Sequence, residues 1–224
     1  MWVDFEKQQL KVGVDYDAFR LTAVLFFDPK FANSKEIIDL LDYLDAFSAN
    51  HLDILITGCT LEPPEDSAES VTEISFGLKK GYYTAKTLHK DVQRFESVTS
   101  WQFSGEIDVV MFNQRGFKNE YGVSGVARDY KNAIVLNLYR MLTNKKITSY
   151  SAFFSELIRF ARDYQGDNPT WGISDTKLWI EVKRSLFESL KKYIGFRKFQ
   201  IRVEDYAVKN IGKGQPWEDG LYYA

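Results

Sequence analysis

The stretch from Leu21 to Thr57 constrains the fold more than any other part of the chain. It reads strand, helix, strand. Leu21-Thr-Ala-Val-Leu-Phe-Phe27 is apolar at nearly every position, the pattern of a strand covered on both faces. Asp28-Pro29 ends it, because proline brings no amide hydrogen to a ladder. Asn33 or Ser34 then caps a helix, with Glu36 near the positive end of its dipole. Ile37, Leu41, Leu44 and Phe47, flanked by Ile38 and Leu40, form an apolar stripe at helical spacing, and Asp39, Asp42 and Asp45 take the other side. Asn50-His51 closes the helix, and Leu52-Asp-Ile-Leu-Ile-Thr57 follows as a second buried strand. Two such strands joined by a helix are expected to run parallel, with a right-handed crossover.

Further elements extend this unit. Glu73-Ile-Ser-Phe-Gly77 reads as a short strand after the acidic, proline-broken loop Leu61–Ser70. Thr84 to Val98 reads as a helix with Leu88, Val92 and Phe95 on one side. Ile107–Phe112 and Ala133–Tyr139 read as antiparallel strands, with the glycine-containing, charged Gln114–Lys131 as a long loop or excursion between them. A helix over Ser149–Tyr164 turns Phe153, Phe154, Leu157, Ile158 and Ala161 inward. Another starts at a Ser174 cap and carries Trp179, Val182, Leu186, Leu190 and Ile194 to a stop at Gly195. Phe199–Val203 is a candidate edge strand. The expected organisation is an arm (1–19), an α/β core (20–164), a C-terminal helix and edge strand (165–204) and an aromatic tail (205–224). The fold class is α/β, a central mixed sheet with helices on both faces plus a C-terminal helical extension.

Over residues 20–164, the order strand–helix–strand, helix, strand–strand, helix resembles the thioredoxin-like arrangement. That resemblance implies paired cysteines where the first helix begins. Here that place reads Pro29-Lys-Phe-Ala-Asn-Ser34, and the proline expected before the third strand is missing from Trp101–Ile107. The expectation is therefore a scaffold without its redox site.

With 224 residues, 45% of them hydrophobic, the chain has material for a substantial core. No early apolar run precedes a small-residue cleavage site, and no stretch reaches about 18 consecutive apolar residues. Cys59, the single cysteine, excludes an internal disulfide and a multi-cysteine metal site. These features point to a soluble, cytoplasmic protein without a membrane segment. The net charge of −2 is unevenly spread. Residues 1–75 carry 15 acids against 5 bases, whereas residues 177–202 carry 8 bases against 2 acids. This asymmetry suits attraction between the two regions or separate charged surfaces for partners.

The sharpest enzymatic hint is Gly105-Glu-Ile-Asp108 entering a strand, with Glu181-Val-Lys183 far downstream. Restriction-type nucleases hold a metal with an acidic residue and a later Glu-x-Lys pair, the metal activating water and the lysine assisting its attack. Glu106 and Asp108 would project from one strand face as ligands, with Lys183 assisting. Roughly 70 residues separate the motifs, however, and Trp179–Leu190 has helical periodicity, which points Glu181 and Lys183 apart. Other chemistries lack their patterns. His51 and His89 adjoin no nucleophile turn, and Gly122-Val-Ser-Gly125 has the wrong spacing for a serine elbow. Cys59 reads as a small buried residue. Gly212-Lys-Gly214 lacks the strand that precedes a phosphate loop. No cofactor and no metal are expected.

Contact surfaces are better represented. Lys177, Arg184, Lys191 and Lys198 recur every seven residues, so the first three line one helix face, which Lys183 and Lys192 widen. Such a strip suits an acidic protein or nucleic-acid phosphate, or is a solvated face. Trp217, Leu221, Tyr222 and Tyr223 sit in a polar, glycine-rich stretch too short for its own core. They dock on the parent domain or anchor a partner. The expected function is a non-catalytic accessory or adaptor subunit acting through protein contacts. The alternatives are a metal-dependent nuclease or a nucleic-acid-binding module.

Overall fold

In the central strand β1 (Arg20–Phe26), Leu21 to Phe26 are all buried, so both faces of the sheet are covered, as its unbroken apolar run requires. The structure, a computed structural model, describes residues 20–31, 33–48, 52–64, 70–76, 79–118, 124–165, 206–209, 211 and 222–223. The expected N-terminal arm, the helix bearing Lys177, Lys183, Arg184, Lys191 and Lys198, the Phe199–Val203 strand, and Trp217 and Leu221 lie outside the described residues.

After β1 the chain forms α1 (Ser34–Ser48) and β2 (Leu52–Ile56), then β3 (Cys59–Thr60), β4 (Thr72–Phe76), β5 (Lys79–Tyr83) and α2 (Ala85–Val98). The long strands β6 (Asp108–Lys118) and β7 (Ser124–Asn137) lead into α3 (Leu138–Thr143) and α4 (Tyr150–Gln165). The short strands β8 (Tyr206–Lys209) and β9 (Tyr222–Tyr223) follow. The protein is thus mixed α/β. One mixed sheet has the order β2-β1-β6-β7-β8 with β9 also on β7, and a second, three-stranded sheet has the order β3-β5-β4. β1 pairs with β2 in parallel, as expected of a strand–helix–strand unit, and with β6 antiparallel. Among the described residues, no helix is long and apolar enough to cross a membrane.

Register decides which residues share a face. Phe26, Val24 and Thr22 of β1 lie opposite Asp108, Val110 and Phe112 of β6. This face carries an aromatic cluster in which Phe95 of α2 meets Phe26 at 5.2 Å, Trp101 at 5.3 Å and Tyr130 at 5.5 Å between ring centroids. Thr84 fixes the start of α2, its Oγ1 accepting from Thr87 N at 3.1 Å. The helices α1 and α4 pack on each other and against β2, with Tyr43 OH and Ser155 Oγ 3.0 Å apart. Ile37, Leu41, Leu44, Phe153, Phe154, Leu157, Ile158 and Ala161 are buried, as the helical spacing predicts.

Three local departures have physical reasons. Phe47 is 58% exposed, stacked on Tyr43 at 4.8 Å; the inward position of the last turn goes to Ser48, which continues the Ile37–Leu41–Leu44 stripe. The expected loop after Gln114 is instead a continuation of β6 and β7, whose ladder reaches Lys118↔Ser124 beyond a register shift between Met111 and Asn113. The expected strand through Tyr139 stops at Asn137, because Asn137 Oδ1 accepts from Arg140 N at 2.8 Å and starts α3.

Candidate functional site

The acids singled out by sequence, Glu106 and Asp108, lie where the segment after α2 enters β6. Gly105, at φ 80°, turns the chain so that Glu106 stands before the strand and Asp108 at its first position. Ser104 reaches back to Asp108 twice, its backbone N donating to Oδ2 and its Oγ to Oδ1, both at 2.8 Å. Asn137 Nδ2 donates to Ser104 Oγ at 3.0 Å and to Glu106 Oε2 at 2.7 Å. Arg140 Nε also donates to Glu106 Oε2 at 2.7 Å, and Leu138 N to Ile107 O at 2.8 Å. One network therefore joins the entry to β6 with the first turn of α3.

The electrostatics follow from burial. Asp108 is 3% exposed, and loss of hydration pushes its carboxyl up to about 6. The two bonds from Ser104 oppose that rise, Glu106 adds to it, and Arg140 opposes it. Tyr150, fully buried nearby, is pushed up to about 12, chiefly by burial and then by the Glu36 carboxylate. With both oxygens bonded and almost no exposure, Asp108 holds its loop in place. Glu106 serves the same purpose as the partner of Arg140 and Asn137. Lys183 lies outside the described residues. Among the described residues, no three His, Cys, Asp or Glu side chains gather as a metal-binding group.

A second buried polar group sits at the opposite end of β1. Arg20 pairs with Asp53 at 3.3 Å, and Gln114 Nε2 donates to Asp53 Oδ2 at 2.9 Å. Gln114 lies opposite Arg20 on one side and Arg128 on the other. Burial raises the Asp53 carboxyl, against the pull of Arg20. Cys59 is 2% exposed, and burial, reinforced by the Asp91 carboxylate, pushes its thiol up to about 12. His89 lies on the exposed side of α2, with Gln93 Nε2 2.8 Å from its Nε2.

The tail is placed at Tyr222 and Tyr223, whose backbone pairs with Val126 and Gly125 of β7. Sequence reading missed Ser104, Asn137 and Arg140. Asn137 ahead of Leu-Tyr-Arg-Met-Leu is a helix-cap signal that would have found one of them. Comparison with protein-family models, with curated proteins and with solved structures gave no significant match.

Proposed function

We propose that this chain is a non-catalytic accessory or adaptor subunit that acts through protein–protein contacts. The observation that carries the proposal is the engagement of the candidate acids. Glu106 Oε2 takes bonds from Asn137 and Arg140, while both oxygens of Asp108 take bonds from Ser104. Carboxylates bonded in this way brace a loop against a helix. The contact surfaces are then the basic strip of Lys177, Arg184, Lys191 and Lys198 and the tail residues Trp217, Leu221, Tyr222 and Tyr223. Pairing of Tyr222–Tyr223 on β7 supports a tail carried at a sheet edge, where partner strands commonly add.

Two finer assignments belong to the same proposal. We take the element order as thioredoxin-like, supported by neighbours β2-β1-β6-β7 with β1 parallel to β2 and antiparallel to β6. We take the location as the cytoplasm, supported by the single cysteine.

The test is affinity capture followed by crosslinking with the native chain, with Arg184→Glu plus Lys191→Glu, and with Trp217→Ala plus Leu221→Ala. A directly crosslinked protein that one of the variants loses is the expected result. Identical captured sets for all three chains would sink the proposal. Nucleic-acid binding that weakens with salt and is abolished by the charge reversals would favour the binding-module alternative. Divalent-metal-dependent cleavage lost in Asp108→Ala would favour the nuclease.

A further inference from the structure

The outer edge of β7 is closed by the chain's own C-terminal end, in two pieces. Ala133 to Leu136 pair with Lys209 to Tyr206 of β8, and Ile211 N donates to Tyr130 O at 2.9 Å. Farther along the same edge, Val126 pairs with Tyr222 and Gly125 with Tyr223. Both pieces run antiparallel to β7, but their registers differ. Continued one for one from Ala133↔Lys209, the pairing would set residue 216 opposite Val126; Tyr222 stands there, six residues later. The intervening sequence contains Gly212, Gly214, Pro216 and Gly220, a composition of low strand propensity.

We propose that this C-terminal end exchanges between two copies of the chain, β8 and β9 of one copy taking the β7 edge of the other. A long sheet edge left bare is a template for another strand, so an occupant is required. A second copy supplies the same residues in the same registers, and the exchanged state keeps every contact of the closed one. The pieces to be released are short, four and two paired residues, and so open at a small fraction of global stability. The tether is long enough. Forty residues separate Gln165 from Tyr206, an extended reach on the order of 130 Å. That is several times the radius of gyration of about 17 Å expected for a chain of this length. The proposal goes beyond the adaptor function, which concerns partners of other sequence.

Two full-length single variants, Val126→Cys and Tyr222→Cys, test it, since Cα partners in a ladder fall within disulfide reach. Buried Cys59 stays in place, with the native chain as its control. The variants are mixed over a tenfold range of concentration, then oxidised and run without reductant. Exchange predicts a mixed Val126→Cys/Tyr222→Cys dimer several-fold more abundant than either like-with-like dimer, increasing with concentration. A mixed dimer no more abundant than the others would overturn the proposal, as would complete intrachain closure of the double variant at every concentration. Ala133→Cys with Lys209→Cys repeats the test at β8 should the first pair disturb folding, checked by circular dichroism.

Discussion

The side chains of Glu106 and Asn137 meet across 31 residues of sequence, Asn137 Nδ2 donating to Glu106 Oε2 at 2.7 Å. The same asparagine bonds Ser104 Oγ and caps α3 through Oδ1. Replacing it with alanine removes a helix cap and two tertiary bonds at once. Asn137→Ala is expected to lower stability by about 2–3 kcal/mol. Urea denaturation measures this, and a loss below about 0.5 kcal/mol would show that the network contributes little.

Asp108 gives a pH dependence of definite sign. Its carboxyl rises from the ordinary 3.8 to about 6 in the folded protein, so the native state holds this proton more tightly than the unfolded chain. The associated stability is fully present below about pH 4 and is lost as pH rises through 6, by roughly 3 kcal/mol. Asp108→Asn cannot ionise. The variant should therefore gain on the native protein between pH 4 and 7.5 in parallel urea titrations. A difference independent of pH would contradict this account.

Gly58 and Gly105 separate backbone strain from packing. Both have positive φ, 79° and 80°. A Cβ at Gly58 would come within 2.6 Å of Tyr83 Cε2, whereas one at Gly105 would meet nothing within 4 Å. Gly105→Ala is expected to cost about 1 kcal/mol, from conformation alone. Gly58→Ala adds overpacking, for about 2–4 kcal/mol in total. Equal losses in the two variants would mean that the Tyr83 ring moves aside freely.

Cys59 should be chemically silent while the protein is folded. With its thiol near 12 and 2% exposed, it presents almost no thiolate at pH 8. Reaction with an aromatic disulfide reagent should be at least a hundredfold slower in the native protein than in guanidinium. Comparable rates would place Cys59 at the surface.

How much of this was legible in the sequence varies by element. The β1–α1–β2 unit was, because burial on both faces leaves unbroken apolar runs and α1 and α4 carry full helical stripes. The outer halves of β6 and β7 were not. Gly116, Gly125 and the charged residues around them lack the half-buried alternation by which strands are recognised, and backbone pairing alone leaves no such mark. In β5, Lys79-Lys-Gly-Tyr-Tyr83 is too short and mixed to announce itself. At the site, Glu106 and Asp108 were visible as acids, but their partners Asn137 and Arg140 come from another element. Charge and spacing therefore suggested a cation where the fold supplies an arginine and an amide.

The placement of β1 between β2 and β6 matters during synthesis. Its parallel neighbour ends at Ile56, but its antiparallel neighbour does not begin until Asp108. At about 5–20 residues per second, a nascent chain carries this apolar strand with one flank unpaired for roughly 3–10 s. Over that interval the emerging chain offers a binding site to a ribosome-associated chaperone that the finished molecule has closed.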